Sequence, residues 1–126
     1  MDPISLHLRL LPGHYAVARL DTWPDWLPPD GFVSVTRTAG EISVVCEERL
    51  VPAGIRKETG FRAWEFQGPF SFGLTGILDS VLHPLAQARI GIFAMSTYDT
   101  DYVLVKAEDL GKALTALRES GHTFID

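Results

Sequence analysis

The chain has 126 residues, room for one compact body or two very small ones, and 46% of them are hydrophobic, so a shared core is expected. Its 11 Lys and Arg stand against 16 Asp and Glu for a net charge of -5, and no basic stripe is present to neutralise a phosphate backbone, which argues against nucleic acid as a partner. Cys46 is the single cysteine; it excludes an internal disulfide and a thiolate metal site within one chain, and its place in the run ISVVC suits a half-buried strand.

In chain order, MDPISLHLRLLPGHY lacks the cationic flank and apolar run of a signal peptide, and no stretch approaches about 18 uninterrupted apolar residues. A cytoplasmic protein without a membrane partner is therefore expected. Leu6 to Leu11 and Tyr15 to Leu20 read as strands, with Pro12-Gly13 between them predicting a hairpin. WPDWLPP leaves room for only a turn or so of helix. From Gly31 the segment GFVSVTRTAGEISVVCEERL holds two β-rich runs, and VPAG follows where a second helix would stand.

The second half is more regular. FRAWEFQ alternates as a strand and ends at Gly68 and Pro69. From Thr75 to Arg89 the apolar positions Ile77, Leu78, Val81, Leu82, Leu85 and Ala88 recur at helical spacing, with Thr75 placed to cap the first turn. Pro84 lies inside and predicts a bend near His83 or a break into two pieces. GIFAMST and YVLVKA flank the turn-forming YDTD and make a hairpin. Glu108 and Asp109 open a second helix with the stripe Leu110, Ala113, Leu114 and Leu117, which Gly121 stops, and HTFID closes as a strand.

The order from Phe61 is β-α-β-β-α-β, the split βαβ arrangement of ferredoxin-like folds. At an offset of 60 residues, GFVSVTRTAGEISVVCEERL lies without gaps over GIFAMSTYDTDYVLVKAEDL, as a duplication would place it. The fold class is thus α+β, in two tandem ferredoxin-like units spanning 1–60 and 61–126. The first is abbreviated and open to permutation, with Leu6 to Leu11 a candidate for its missing fourth strand.

The segments SVTRTAGEISVVC, LTGIL, PLAQARIGIFAMSTYDTDYVLV and AEDLGKALTALRESGH together resemble the small bacterial proteins made of two tandem ACT domains, related to the ACT repeats of aspartate kinases and of cytosolic arginine sensors. The likeness runs from about Leu6 to Phe124, and STYDTDYVLV with LTGIL upstream is its most specific part. One departure is Ser71, where the family often carries an acidic residue. The resemblance implies a regulatory module that binds a small effector, often an amino acid, at a seam between two ACT units, with no cofactor and no catalysis.

The residues suggest how such a ligand would be held. The loop Phe70, Ser71, Phe72, Gly73, Leu74, Thr75 and Gly76 leads into a helix expected to begin near Thr75, so its backbone N–H groups offer a seat for a carboxylate, and Gly73 and Gly76 allow close approach. Across the seam, Ser96, Thr97, Asp99 and Asp101 could accept an α-ammonium. The competing reading is plain turn chemistry: Asp99 and Thr100 are ordinary turn residues and Asp101 could cap the hairpin. Catalysis has little support. His7, His14, His83 and His122 are scattered without metal-ligand spacing and read as surface or edge residues. No nucleophile elbow or phosphate-binding glycine pattern is present, and a hairpin tip is too exposed to drive the pKa values of Asp99 and Asp101 apart. The main alternative is a module that docks a partner enzyme without a ligand. Open sheet edges, with Ile42 to Cys46 taken as one of them, predict a homodimer.

Overall fold

A computed structural model of the chain describes residues 4–125; Asp126, the last residue of the expected closing strand, lies outside them. The chain divides into two compact units, one comprising residues 13–61 and the other residues 1–12 with 62–126.

In the 13–61 unit, β2 (Tyr15–Leu20), β3 (Ser34–Arg37), β4 (Ile42–Glu47) and the first half of β5 (Arg56–Phe66) form a sheet in the order β3-β4-β2-β5, antiparallel throughout. Period-2 alternation on β2 sends Ala16, Ala18 and Leu20 to the buried face. There they meet Val44, Cys46 and Val51, and Trp26, Leu27, Val33 and Ile55 pack over them. The segment between β2 and β3 is not helical. Pro24, Pro28 and Pro29 remove N–H donors that a helix would need, and Trp26 and Leu27 cover the core in its place. A 3-10 turn at Glu48–Leu50 stands where the second helix of a full unit would begin. Strand β4 lies between β2 and β3, so it is interior, and the expectation that Ile42 to Cys46 is a bare edge does not hold.

The other unit contains β1 (His7–Leu10), the second half of β5, α1 (Asp79–Gln87), β6 (Ile92–Ser96), β7 (Asp101–Lys106), α2 (Leu110–Glu119) and β8 (Thr123–Ile125). The strand order is β6-β7-β5-β1-β8. The Pro12-Gly13 hairpin is not formed: β1 pairs antiparallel with β5, Leu8 opposite Phe66, and parallel with β8, His7 opposite Thr123. The apolar residues of LHL face a ready core of Trp64, Phe66, Val81, Leu85, Val103, Val105 and Leu117, and Leu8 is fully buried among them. Burial of a leucine on this scale stabilises by about 1.5–3 kcal/mol, which a solvent-facing hairpin would forgo. None of the helices among the described residues is long and apolar enough to cross a membrane.

Helix α1 begins at Asp79, later than the spacing predicted, with Leu78 rather than Thr75 at its N-cap and no side-chain cap. Its buried stripe, Val81 and Leu85, is the expected one. Pro84 lies inside it without dividing it. A proline lacks the N–H that would bond the carbonyl four residues back, here Ser80, and that carbonyl accepts instead from His122 Nε2 at 2.8 Å. The other ring nitrogen, Nδ1, accepts the Leu6 backbone N–H at 3.1 Å. An amide can only donate, so this pattern fixes a neutral imidazole with its proton on Nε2. His122 is thus a buried bridge between Leu6, just ahead of β1, and α1, 3% exposed, and not the surface or edge residue its spacing suggested. The same residue completes the end of α2: its N–H reaches Leu117 O at 3.1 Å while Gly121, at φ 96°, donates to Arg118 O at 3.0 Å, a Schellman ending that requires the left-handed glycine.

The two hairpins are related by an offset of 59 rather than 60. Strand β4 maps onto β7 and the 3-10 turn Glu48–Leu50 onto Ala107–Asp109. The pairs Ser34↔Val45 and Arg37↔Ile42 map onto Phe93↔Leu104 and Ser96↔Asp101. Since side chains alternate with a period of two, a slip of one residue exchanges the faces. Val35 therefore corresponds to Ala94 and Thr38 to Thr97, and the equivalences Val33 with Phe93 and Val35 with Met95 that an offset of 60 implies are replaced.

Candidate functional site

Two segments of the 62–126 unit converge on one hollow. The β6–β7 turn is closed by Thr97, whose N–H donates to Thr100 O at 2.8 Å and whose Oγ1 accepts the Thr100 N–H at 3.3 Å. The loop leaving β5 is docked on this turn. Thr100 Oγ1 donates to Phe66 O at 2.7 Å, and Phe70 N–H donates to Asp99 O at 2.9 Å. Gly68 permits that approach, because a Cβ there would stand 2.9 Å from Asp99 O and 3.2 Å from Thr100 Cβ.

Between loop and turn lies a cavity of about 180 Å³. Of the residues singled out from the sequence, Phe70, Ser71, Phe72, Leu74, Ser96, Thr97, Asp99 and Asp101 line it, joined by Ile77, Tyr98 and Thr100. Gly73, Thr75 and Gly76 are not among the lining residues. Gly76 has a conformational reason of its own: φ is 81°, which glycine adopts without strain, and a Cβ would come 3.2 Å from Ile4 Cδ1. Gly68, Ile77 and Thr100 were not singled out. The Gly68-Pro69 dipeptide registers in the sequence only as the end of a strand, and the contact that demands Gly68 is with a turn about thirty residues away, which no local pattern reveals.

The lining has a definite character. Asp99 and Asp101 are its charged groups, and no Lys, Arg or His accompanies them. Ser96 Oγ donates to Asp101 Oδ1, which aims that carboxylate and leaves its second oxygen for another donor. Phe72 and Tyr98 do not fill the hollow. They meet edge to face at 5.1 Å between centroids, 77% and 80% exposed. The loop amides are partly committed: Gly73 N–H donates to Ser71 Oγ at 3.2 Å and Leu74 N–H to Ser71 O at 3.0 Å. Helix α1 starts beyond them, with Asp79 in its first turn. The loop amides are therefore partly taken up within the loop, and the charge of the lining is acidic.

A second hollow of about 260 Å³ lies on the other flank of the same turn, where Glu65, Gln67 and Tyr102 join Gly68, Thr97 and Thr100. Tyr102 O–H donates to Glu65 Oε2 at 2.8 Å. Burial, reinforced by that carboxylate, pushes the phenol up to about 12.

Residues 56–119, just over half of the chain, match a family model described as ACT domain, and residues 13–54 match a second model described as an N-terminal domain. Protein Atu0741 from Agobacterium tumefaciens, known from a crystal structure, is 42% identical, with a TM-score of 0.90 over 97% of this chain and 93% of that one. The ligand-free regulatory subunit of aspartate kinase from Thermus thermophilus is 11% identical with a TM-score of 0.59, covering 94% and 99% of the two chains, a likeness of fold alone. Subunit 1 of the human cytosolic arginine sensor for mTORC1 is 38% identical over 47 residues, 37% of this chain and 14% of that protein. Human CASTOR3P is 29% identical over 92 residues, and the match takes in 56% of its length; the chain spans about half or less of these curated relatives.

Proposed function

The chain belongs to the ACT domain family, and from that premise we propose that it is a non-catalytic regulatory protein that senses an amino acid held between Phe70–Ile77 and Ser96–Asp101. The observation that carries this reading is a concave lining with two carboxylates, three aromatic rings and no cationic side chain. Such a lining suits a ligand that brings positive charge. Asp99 and the second oxygen of Asp101 take the α-ammonium, and the Phe72 and Tyr98 rings flank a second cationic head or an apolar stem. Amino acids with cationic side chains head the expected ligands, in keeping with a relative named as an arginine sensor. The fold supports the same reading: the order β5-β2-β4-β3 is that of a ferredoxin-like unit without its helices, and β8-β1-β5-β7-β6 is that order with β1 inserted beside its first strand. We read the chain accordingly as tandem ACT units, acting in the cytoplasm as a homodimer whose second copy closes the seam over the exposed rings. A second reading, docking of a partner enzyme, draws on the exposure of Phe72, Leu74 and Tyr98.

The test is calorimetric titration of the twenty amino acids into wild type, Asp101→Asn and Gly68→Ala. Binding of a basic amino acid is expected, weakened at least tenfold by Asp101→Asn, and lost in Gly68→Ala because the new methyl group forces the loop off the turn. At a hundred times its dissociation constant the ligand should add about 2.7 kcal/mol of stability to wild type. Absence of binding by every amino acid would leave the docking reading in its place.

A further inference from the structure

The largest of the hollows described lies in the other unit and has the opposite character. On the sheet of residues 13–61, Arg19 of β2 stands directly opposite Arg56 of β5. Like charges in register across two strands repel. Arg19 is held in place: Nη1 lies 3.0 Å from Glu41 Oε2 and Nη2 donates to Gly40 O at 3.1 Å. Glu41 also accepts from Ser43 Oγ at 2.6 Å, and this hydroxyl, with Arg19 beside it, holds its carboxyl below the usual carboxylate range. Arg56 has no ion pair and no side-chain hydrogen bond among the described residues.

Both arginines line a cavity of about 580 Å³, within the span of small-molecule sites. Trp26, Ile55 and Leu20 give it an apolar wall that belongs to the core of the unit, and Thr22 adds a hydroxyl. Asp21 also lines it, so a bare inorganic anion gains little there. A ligand must bring an apolar body as well as a charge.

We propose that this cavity is a second ligand site, taking a small organic anion whose flat apolar body lies against Trp26 and Ile55 and whose carboxylate or phosphate joins Arg56 to Arg19. A guanidinium presents two parallel donors to such a head group. The anion relieves the repulsion between the arginines, so occupancy stabilises the β2–β5 pairing that the empty site weakens.

The test follows the Trp26 indole resonance of the full chain by NMR during titration with benzoate and, separately, phenyl phosphate, which tell the two head groups apart. A saturable shift is expected with one or both. Arg56→Gln should weaken it at least tenfold, whereas Lys57→Gln, which removes a neighbouring charge from outside the cavity, and Asp101→Asn, in the other unit, should leave it unchanged. If neither anion gives a saturable shift, or Lys57→Gln weakens binding as much as Arg56→Gln, the proposal is overturned. Loss of amino-acid binding in the other unit leaves this result standing, and the reverse.

Discussion

Both hairpins turn through a threonine that closes its own loop. Thr38 N–H donates to Glu41 O at 2.9 Å and its Oγ1 accepts the Gly40 and Glu41 amides at 3.2 Å; Thr97 bonds Thr100 in the corresponding way. The strands behind them carry the same burial pattern, intermediate at the ends and buried at the three central positions. What differs is the residues at the tip. Arg37, Ala39, Gly40 and Glu41 stand where the other hairpin has Ser96, Tyr98, Asp99 and Thr100, so one hollow beside the turn sets Arg37 against Asp21 and Glu41, while the other has two acids and three rings with no cationic side chain. The frame of a hairpin tolerates any tip compatible with its turn. The comparison therefore separates turn chemistry from a candidate site: a threonine, Thr38 or Thr97, closes the turn in both copies, so the Thr97 hydroxyl argues less for a ligand than Asp99, Tyr98 and Asp101 do.

The units differ also in how they are completed, and that difference predicts the largest effect. The 13–61 unit is contiguous, whereas its neighbour takes β1 from the other end of the chain. Deleting residues through Pro12 should abolish cooperative folding of residues 62–126, seen as lost amide dispersion for that half, because Leu8 and the pairing of both β5 and β8 go with it. Native-like spectra would break the comparison.

His122→Ala comes next. It leaves the Leu6 amide and the Ser80 carbonyl, both in the 62–126 unit, without partners, at about 1–3 kcal/mol for each buried group. Urea unfolding should show a loss of roughly 2–6 kcal/mol overall, and amide exchange should quicken in α1 around Pro84 while the 13–61 strands keep their protection. Uniform loss across both units would erase the distinction.

The smallest effect concerns Tyr102, whose counterpart at an offset of 59 is Ser43. Its phenol is raised to about 12 by burial and then by Glu65. A group whose folded pKa lies above the unfolded value contributes stability below the unfolded value and loses it as pH climbs through the folded one. Wild type should thus lose more stability than Tyr102→Phe between pH 10 and 12, and match its slope below pH 9, where the variant should be less stable by about 1 kcal/mol from the lost hydrogen bond. Parallel curves through that window would show the Glu65 contact to be inconsequential.

Much of this was legible in the residues. Alternation and helical spacing place most strands from Tyr15 onward and both apolar stripes, since burial enforces those periods locally; the first half of β5, Arg56 to Gly60, has no buried face to betray it, and it, not Leu6 to Leu11, is the fourth strand of the 13–61 sheet. STYDTD pointed to the turn that forms one wall of the cleft. The misreadings have non-local causes. Pro12-Gly13 carries the local signature of a hairpin, but Leu8 finds a better partner in a core built from residues 64 to 117. Pro84 reads as a helix breaker until His122 supplies the missing donor from beyond α2. The gapless alignment at 60 keeps apolar residues over apolar residues, and only the pairing partners show that the register is 59.

The insertion of β1 between β5 and β8 also has a temporal side. Ser5 Oγ donates to Gly121 O and the Leu6 amide to His122, each pair 116 residues apart in sequence. During synthesis at roughly 5–20 residues per second, the first strand leaves the ribosome many seconds before the groove that receives it exists. The 13–61 unit can close in that interval, while LHLRLL, apolar on alternate positions, waits without its partners. β1 in such a nascent chain stays exposed until Gly121 and His122 emerge, so those residues decide when Leu6 and Leu8 become protected.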